Sequence, residues 1–229
     1  DSSSGRRTRW VTFAELPTSA LPRGLYWADV GNSAVEVRVE RAVTGGDYSG
    51  HVVAALYRRY RPETFAELIG QSQVTDPLRT ALRADRVNHA YLFSGPRGCG
   101  KTTSARILAR CLNCVEGPTD TPCGVCPSCV ELSRDGGGSL DVVEIDAASH
   151  NGVDDARDLR ERAVFAPARD RYKIFILDEA HMVTPQGFNA LLKIVEEPPE
   201  HVKFIFATTE PEKVIGTIRS RTHHYPFRL

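Results

Sequence analysis

A glycine-rich segment at residues 95–102 has the residue types and the spacing that bind nucleotide phosphates. It reads G-P-R-G-C-G-K-T and fits the pattern G-x-x-x-x-G-K-[ST]. Glycines at these positions let backbone N–H groups turn toward phosphate oxygens, and a helix that begins at the lysine favours anions. The motif predicts that Lys101 reaches the β- and γ-phosphates of ATP and that the Thr102 hydroxyl binds Mg²⁺. The other predicted phosphate-binding positions are Gly95, Gly98, Gly100 and Thr103.

Two adjacent carboxylates at the end of an apolar segment would complete a hydrolytic site. Asp178 and Glu179 follow K-I-F-I-L at residues 173–177. The pattern predicts that Asp178 helps to hold Mg²⁺ and that Glu179 acts as a base, or orients water, for attack on the γ-phosphate. Such a pair could instead cap the next helix, but the phosphate motif upstream favours the catalytic interpretation. Residues 178–181 also spell D-E-A-H, which names a helicase class, although no other helicase motif is visible.

Four of the six cysteines have the spacing of a metal site. All six lie between residues 99 and 129, which favours metal binding in a reducing compartment over disulfides spread across a secreted domain. Four thiolates in one loop suit tetrahedral Zn²⁺ in a closed structural site, and the same spacing could hold an iron–sulfur cluster. The predicted ligands are Cys114, Cys123, Cys126 and Cys129. Cys99 and Cys111 are predicted to carry no metal, and Cys111 is interpreted as a small core residue.

Alternating strands and helices must position these groups. Four short apolar segments predict buried strands at residues 90–93, 142–145, 173–177 and 204–207. Helices are predicted at residues 101–112, 153–164 and 188–195, the last preceded by a capping Thr184 and a first-turn Pro185. This alternation predicts an α/β fold in which helices flank a parallel sheet. The cysteines then lie in an insertion, residues 113–131, between a helix and the second strand.

Composition and charge narrow the class of protein. The 229 residues are 41% hydrophobic and 25% charged, and no apolar run approaches the length of a membrane span. With no signal-peptide pattern at the start, we expect a cytoplasmic protein without a membrane partner. Lys+Arg and Asp+Glu both number 29, so no overall positive field draws the chain to nucleic acid. The basic residues at 157, 160 and 162 could contact DNA, but their pattern favours a solvated helix face paired with nearby carboxylates.

Residues 1–51 differ in character from the rest of the chain. They include a Ser/Gly-rich stretch and scattered prolines, and only residues 34–39 alternate like a strand. The sole methionine is Met182. Two interpretations stay open: a genuine small or disordered extension, or sequence upstream of a start near Val52 or Val53 at a non-AUG codon. In both, the nucleotide-binding domain is predicted to occupy residues 52–229.

Several further motifs occur in an order that resembles the gamma/tau clamp-loader subunits of bacterial DNA polymerase III. In one-letter code they are L-Y-R-R-Y-R-P at 56–62, I-G-Q at 69–71, H-A-Y-L-F-S-G at 89–95, E-I-D-A-A-S at 144–149, F-N-A-L-L-K at 188–193, E-E-P-P at 196–199 and A-T-T at 207–209. The resemblance covers residues 55–229. The details S-G-P-R-G-C-G at 94–100 and R-T-H-H-Y-P-F at 221–227 are similar to actinobacterial versions.

The resemblance implies a P-loop AAA+ ATPase core whose subunits form an incomplete ring. Binding of ATP would let the ring open a sliding clamp and grip primer-template DNA, and hydrolysis would release the closed clamp during DNA replication. The implied partners are other clamp-loader subunits in a hetero-oligomeric ring, the sliding clamp, primer-template DNA and the polymerase core of DNA-directed DNA polymerase III, a nucleotidyltransferase complex. Zn²⁺ is implied in the insertion. A helical lid and a collar would follow this domain, and the present sequence does not include them.

Some residue roles are implied only by this resemblance. The positions that would line the adenine pocket are Tyr57, Arg58, Pro62 and Ile69. Thr209 would be a sensor at the end of the fourth strand. Arg221 would be an arginine finger that projects into the ATP site of a neighbouring subunit. The family usually has cysteine where this chain has Thr222, but we expect the role to remain because the guanidinium does the chemistry.

Two other functions compete with a clamp-loading ATPase. One is a nucleotide-binding scaffold that organises polymerase and clamp with little hydrolysis. The presence of the full set Lys101, Asp178, Glu179 and Arg221 argues against it, since a scaffold has no use for all four. The other is a related AAA+ DNA motor, such as a branch-migration helicase, which would not be expected to carry the four-cysteine insertion.

Overall fold

Five parallel strands form a single sheet in the computed structural model, which describes residues 60–228 of the chain. The strands are β1 (Ala90–Ser94), β2 (Val142–Asp146), β3 (Lys173–Asp178), β4 (Val202–Thr208) and β5 (His223–Pro226). Their order across the sheet is β2-β3-β4-β1-β5. The predicted parallel sheet is therefore confirmed. The predictions for residues 1–51 and for Tyr57 and Arg58 lie outside the described residues.

Helices connect the strands and cover both faces of the sheet. They are α1 (Ser72–Arg83), α2 (Lys101–Asn113), α3 (Pro127–Glu131), α4 (Val153–Val164), α5 (Pro185–Glu196) and α6 (Gly216–Arg219). Helix α5 begins as predicted, because the Thr184 hydroxyl accepts the Gly187 N–H at 3.1 Å and Pro185 needs no hydrogen-bond partner in the first turn. Across residues 60–228, none of the helices has the length and apolarity that a bilayer crossing requires.

Side chains of the central strands alternate between two apolar cores, one on each face of the sheet. Tyr91 and Phe93 of β1 pack with α1 and α2, whereas Leu92 of the same strand packs with α4 and α5. Every residue of β1 and β4 is buried, as expected for parallel strands covered on both faces. The carboxyl ends of β1, β3 and β4 are thereby held in fixed positions beside one another.

Strand β5 and helix α1 were not among the predicted elements. Helix α1 buries Val74, Leu78 and Leu82 in one stripe, but Pro77 lies inside it and obscures the pattern. Strand β5 reads H-H-Y-P and becomes a strand by pairing in parallel with the free edge of β1. The Tyr225 ring then packs edge-on against Phe93, with ring centroids 5.9 Å apart.

Candidate nucleotide-binding site and metal centre

The glycine-rich segment forms a loop between β1 and α2 at the carboxyl end of the sheet. Three of its glycines have positive φ angles, +147° at Gly95, +83° at Gly98 and +95° at Gly100. Side chains disfavour these conformations. A Cβ atom at Gly95 would also lie 2.6 Å from the carbonyl oxygen of Phe227. The loop therefore requires glycine both for its backbone shape and for its close contact with the chain after β5.

Lys101, the first residue of α2, is folded over this loop. Its side chain is largely buried, with the residue 6% exposed, and Nζ donates to the carbonyl oxygens of Gly95 and Pro96, each at 2.8 Å. Among residues 60–228, no carboxylate forms an ion pair with this ammonium group. A buried cation without a neutralising carboxylate, at the start of a helix, is well suited to an anionic ligand such as a triphosphate.

Thr102 and Asp178 meet where the loop approaches the end of β3. The Thr102 hydroxyl donates to Oδ2 of Asp178 at 2.7 Å, and Oδ1 of Asp178 accepts the Glu179 N–H at 2.9 Å. A hydroxyl and a carboxylate are the hard oxygen donors that Mg²⁺ uses together with substrate phosphates. The pair thus fits the magnesium site that the sequence predicts.

Glu179 has a left-handed backbone, with φ 48° and ψ 44°. A residue other than glycine pays about 1–3 kcal/mol for such a conformation, which is characteristic of functional sites. Its Oε2 lies 3.4 Å from the Thr209 hydroxyl and 3.5 Å from Nδ1 of His181. The predicted sensor Thr209 therefore stands beside the predicted catalytic carboxylate, one residue beyond the end of β4.

Arg221 lies in the turn between α6 and β5 and contacts a different set of groups. Its guanidinium is 2.8 Å from Oε1 of Glu196 in α5 and donates to the Thr217 carbonyl oxygen at 2.9 Å. The side chain is 39% exposed. None of these partners belongs to the glycine-rich loop between β1 and α2 or to the Asp178–Glu179 pair. An exposed guanidinium held outside its own phosphate site is compatible with the predicted role in a neighbouring subunit.

Only part of the segment predicted to line the adenine pocket lies near the glycine-rich loop. Arg61 donates from Nε to the Thr103 hydroxyl at 3.0 Å, which brings the adjacent, half-buried Pro62 to the first turn of α2. Ile69 is 93% exposed. Its neighbour Leu68 faces the loop instead, because a Cβ atom placed on Gly100 would lie 3.4 Å from the Leu68 Cδ2. Within the described residues, Arg61 thus ties the segment next to Pro62 to the first turn of α2, whereas Ile69 points to solvent.

The four predicted metal ligands converge in the insertion after α2. Their sulfur atoms all lie within 4.8 Å of one another. Backbone hydrogen bonds from Val125 and Cys126 lower the pKa of the Cys123 thiol to about 7, whereas burial raises the pKa of Cys129 to about 12. A bound cation would therefore be needed to keep the Cys129 sulfur ionised at neutral pH. Four thiolates gathered in this way fit a closed structural zinc site.

Buried carboxylates anchor this insertion to the rest of the domain. The Asp170 side chain is 1% exposed and accepts from the hydroxyls of Ser128 at 2.6 Å and Ser139 at 3.1 Å. Asp120 forms ion pairs with two arginines of α1, Arg79 at 2.9 Å and Arg83 at 2.7 Å. Sequence reasoning missed these residues, since isolated aspartates between elements look like ordinary turn residues.

The strand order, the glycine-rich loop after β1 and the carboxylate pair after β3 are those of a P-loop fold of the AAA+ class. Solved structures of the RuvB Holliday junction branch migration motor of Thermotoga maritima have a similar fold. One is 20% identical in sequence with a TM-score of 0.50, over 74% of this chain and 48% of the RuvB chain. At this identity the likeness describes the fold alone.

A family model described as "DNA polymerase III, delta subunit" matches residues 70–229, and the chain belongs to this family. DNA polymerase III subunit gamma/tau of Mycobacterium tuberculosis (strain ATCC 25618 / H37Rv) is 74% identical over 175 residues, which is 76% of this chain and 30% of that protein. Subunit tau of Escherichia coli (strain K12) is 54% identical over 166 residues, 72% of this chain and 26% of that protein. The resemblance to gamma/tau subunits, and to actinobacterial ones, is confirmed. The chain spans less than a third of these relatives.

Proposed function

We propose that this chain is the ATP-binding and ATP-hydrolysing core of a clamp-loader subunit that loads the sliding clamp onto primed DNA. The contact between Thr102 and Asp178 is the observation that best supports ATP hydrolysis, because it places two oxygens suited to Mg²⁺ directly beside Glu179. Similarity to subunits gamma/tau and tau supports the assignment to replication. The proposed partners are other clamp-loader subunits in a hetero-oligomeric ring, the sliding clamp, primer-template DNA and the polymerase core.

Each residue of the site would have a separate task. Lys101 and the backbone N–H groups of the loop would bind the triphosphate, and Thr102 and Asp178 would hold Mg²⁺. Mg²⁺ held there would neutralise charge at the phosphate oxygens. Glu179 would orient the attacking water or take its proton, and the Thr209 hydroxyl would keep that carboxylate directed. Phosphoryl transfer depends mainly on positioning and electrostatics, which the rigid strand ends supply.

Zn²⁺ in the four-thiolate site would have a structural task. The ligands span residues 114–129, a segment whose buried apolar cluster consists of the cysteines themselves. The metal would therefore replace a hydrophobic core in holding this segment together. No open coordination position is needed for that role.

The test is ATP hydrolysis by the full-length protein, assembled with its partner subunits, with and without clamp and primed DNA. A clamp loader should hydrolyse ATP faster when both are present. A complex that binds ATP but hydrolyses little, with no response to clamp or DNA, would point to the scaffold instead. Stimulation by branched DNA without any clamp would point to a DNA motor.

A further inference from the structure

His181 contacts the candidate hydrolytic centre from a largely buried position. It lies two residues after Glu179, in the 3-10 turn Ala180–Met182, and its side chain is 9% exposed. Nδ1 is 3.0 Å from the Thr208 hydroxyl and 3.5 Å from Oε2 of Glu179. Nε2 lies 3.5 Å from Oε1 of Glu210. One imidazole ring thus contacts groups that follow both β3 and β4.

The groups around the ring are themselves held in place. Thr208 is fully buried at the end of β4, and its hydroxyl oxygen accepts the Glu210 N–H at 3.0 Å. The Glu210 carboxylate is paired with Lys213 at 2.6 Å. Because Nδ1 faces the buried Thr208 hydroxyl and Nε2 faces the Glu210 carboxylate, the ring cannot turn without losing contacts on both sides. The orientation of His181 is therefore set by the end of β4.

Glu179 has few other supports. Its side chain is 35% exposed, and within residues 60–228 its carboxylate has two side-chain contacts, His181 Nδ1 at 3.5 Å and the Thr209 hydroxyl, which donates to it at 3.4 Å. A carboxylate on a strained, partly exposed residue would occupy several rotamers unless a rigid neighbour restricted it. The largely buried His181 ring is such a neighbour, together with the Thr209 hydroxyl. A displacement of about 1 Å at such a position can lower turnover by about 100-fold.

We propose that His181 is a positioning residue for ATP hydrolysis, whose Nδ1 edge fixes the Glu179 carboxylate relative to the end of β4. This inference rests on the proposed ATPase function. His181 makes no hydrogen bond or ion pair with Lys101 or Thr102 in the described structure. Its loss should therefore lower kcat and leave the binding of ATP unchanged.

Three substitutions in the full-length assembled complex test this role. His181→Asn keeps a polar group near the Nδ1 position, His181→Gln places one near the Nε2 position, and His181→Phe keeps only a ring. We expect His181→Phe to lower kcat by about 100-fold with the dissociation constant of ATP unchanged. His181→Asn should recover much of that loss and His181→Gln should not. Thr208→Val should also lower kcat. The double variant with His181→Phe should have a kcat only slightly below that of His181→Phe alone, because the two side chains act through one contact.

Two reference variants separate this inference from the proposed function. Glu179→Gln reports on the hydrolytic centre, and Glu161→Gln alters an exposed carboxylate on α4. If the unmodified complex does not hydrolyse ATP, or if Glu179→Gln hydrolyses it normally, the proposed function or the role of Glu179 fails. If the unmodified complex hydrolyses ATP, Glu179→Gln does not, and His181→Phe retains its kcat, the inference on His181 is wrong. Should His181→Phe not fold, equal kcat values for the Asn and Gln variants would overturn the inference.

Discussion

At the scale of single residues, Lys101 contributes charge to the site and little packing. Its ammonium group is held by two carbonyl oxygens of the loop, an arrangement that a triphosphate would replace. We expect Lys101→Ala to weaken ATP binding by roughly 10- to 150-fold, since a hydrogen bond to a charged group contributes about 1.5–3 kcal/mol. Calorimetric titration with ATP would measure the change, and circular dichroism would check the fold.

Lys193→Ala is the matched control, because Lys193 is exposed on α5. Its affinity for ATP should equal that of the unmodified chain. Equal affinities for Lys101→Ala and Lys193→Ala, with both folds intact, would contradict the assignment of the loop to phosphate binding.

The residues that could be predicted from sequence are those whose chemistry is local. The phosphate loop and the pair Asp178–Glu179 each occupy a few consecutive positions next to an apolar strand pattern. The contacts of His181 with Thr208 and Glu210 depend instead on which strands are neighbours, because β3 pairs with β4 in the sheet. A single sequence carries no signal for that register.

At the scale of elements, local sequence again predicts some features, and contacts between strands determine the others. The three strands that carry the site have continuous apolar runs, which predict buried parallel strands. Strand β4 begins at Val202, two residues before the predicted start, since boundaries follow pairing with β3 rather than composition. Strand β5 exists because β1 offers it a free edge, so its formation is a tertiary effect.

The cysteine insertion provides an element whose stability should depend on a metal. We expect one zinc ion per chain, and Cys126→Ser should lower the zinc content measured by elemental analysis. Cys99→Ser is the control, because Cys99 lies outside the four-sulfur cluster. Removal of the metal should increase amide hydrogen exchange in residues 114–131 more than in β1 and β4, which have their own apolar cores. Iron in place of zinc, or protein purified without metal, would contradict this prediction.

Asp141 makes the junction between the insertion and β2 sensitive to acid. Burial acts to raise its pKa, but hydrogen bonds from the backbone N–H groups of Asp170, Ala168 and Arg169 outweigh burial and hold the pKa below its ordinary value. The ionised carboxylate therefore adds stability that is present above the pKa of the unfolded chain and is lost as pH falls through the lower folded pKa.

Asp141→Asn should thus be less stable than the unmodified chain by about 1–3 kcal/mol near pH 7. The difference should shrink as the pH falls below about 3.9, the ordinary aspartate value. Denaturant unfolding over a pH series would measure it. A difference for Asp141→Asn that stays constant with pH would contradict the argument.

At the scale of the whole molecule, the site groups lie in two places. The loop, Asp178 and Glu179 gather at the ends of β1 and β3, whereas Arg221 lies in the turn between α6 and β5 and is held by Glu196 of α5. Both members of this ion pair are about a third exposed, and such pairs contribute at most about 1 kcal/mol. The guanidinium can therefore exchange Glu196 for a stronger anionic partner, such as a phosphate in a neighbouring subunit, at small cost.

If Arg221 serves a neighbouring site, Arg221→Ala should leave ATP binding to its own subunit intact and still suppress hydrolysis in the assembled complex. An arginine supplied in trans to a developing phosphoryl charge can change turnover by roughly 10³–10⁵. Full-length subunits that carry Lys101→Ala but retain Arg221 should partly rescue subunits that carry Arg221→Ala but retain the loop. Arg160→Ala, at an exposed position on α4, is the control and should not lower hydrolysis. A confirmed mixed assembly that hydrolyses no more ATP than the sum of the separate variants would exclude a role for Arg221 in trans.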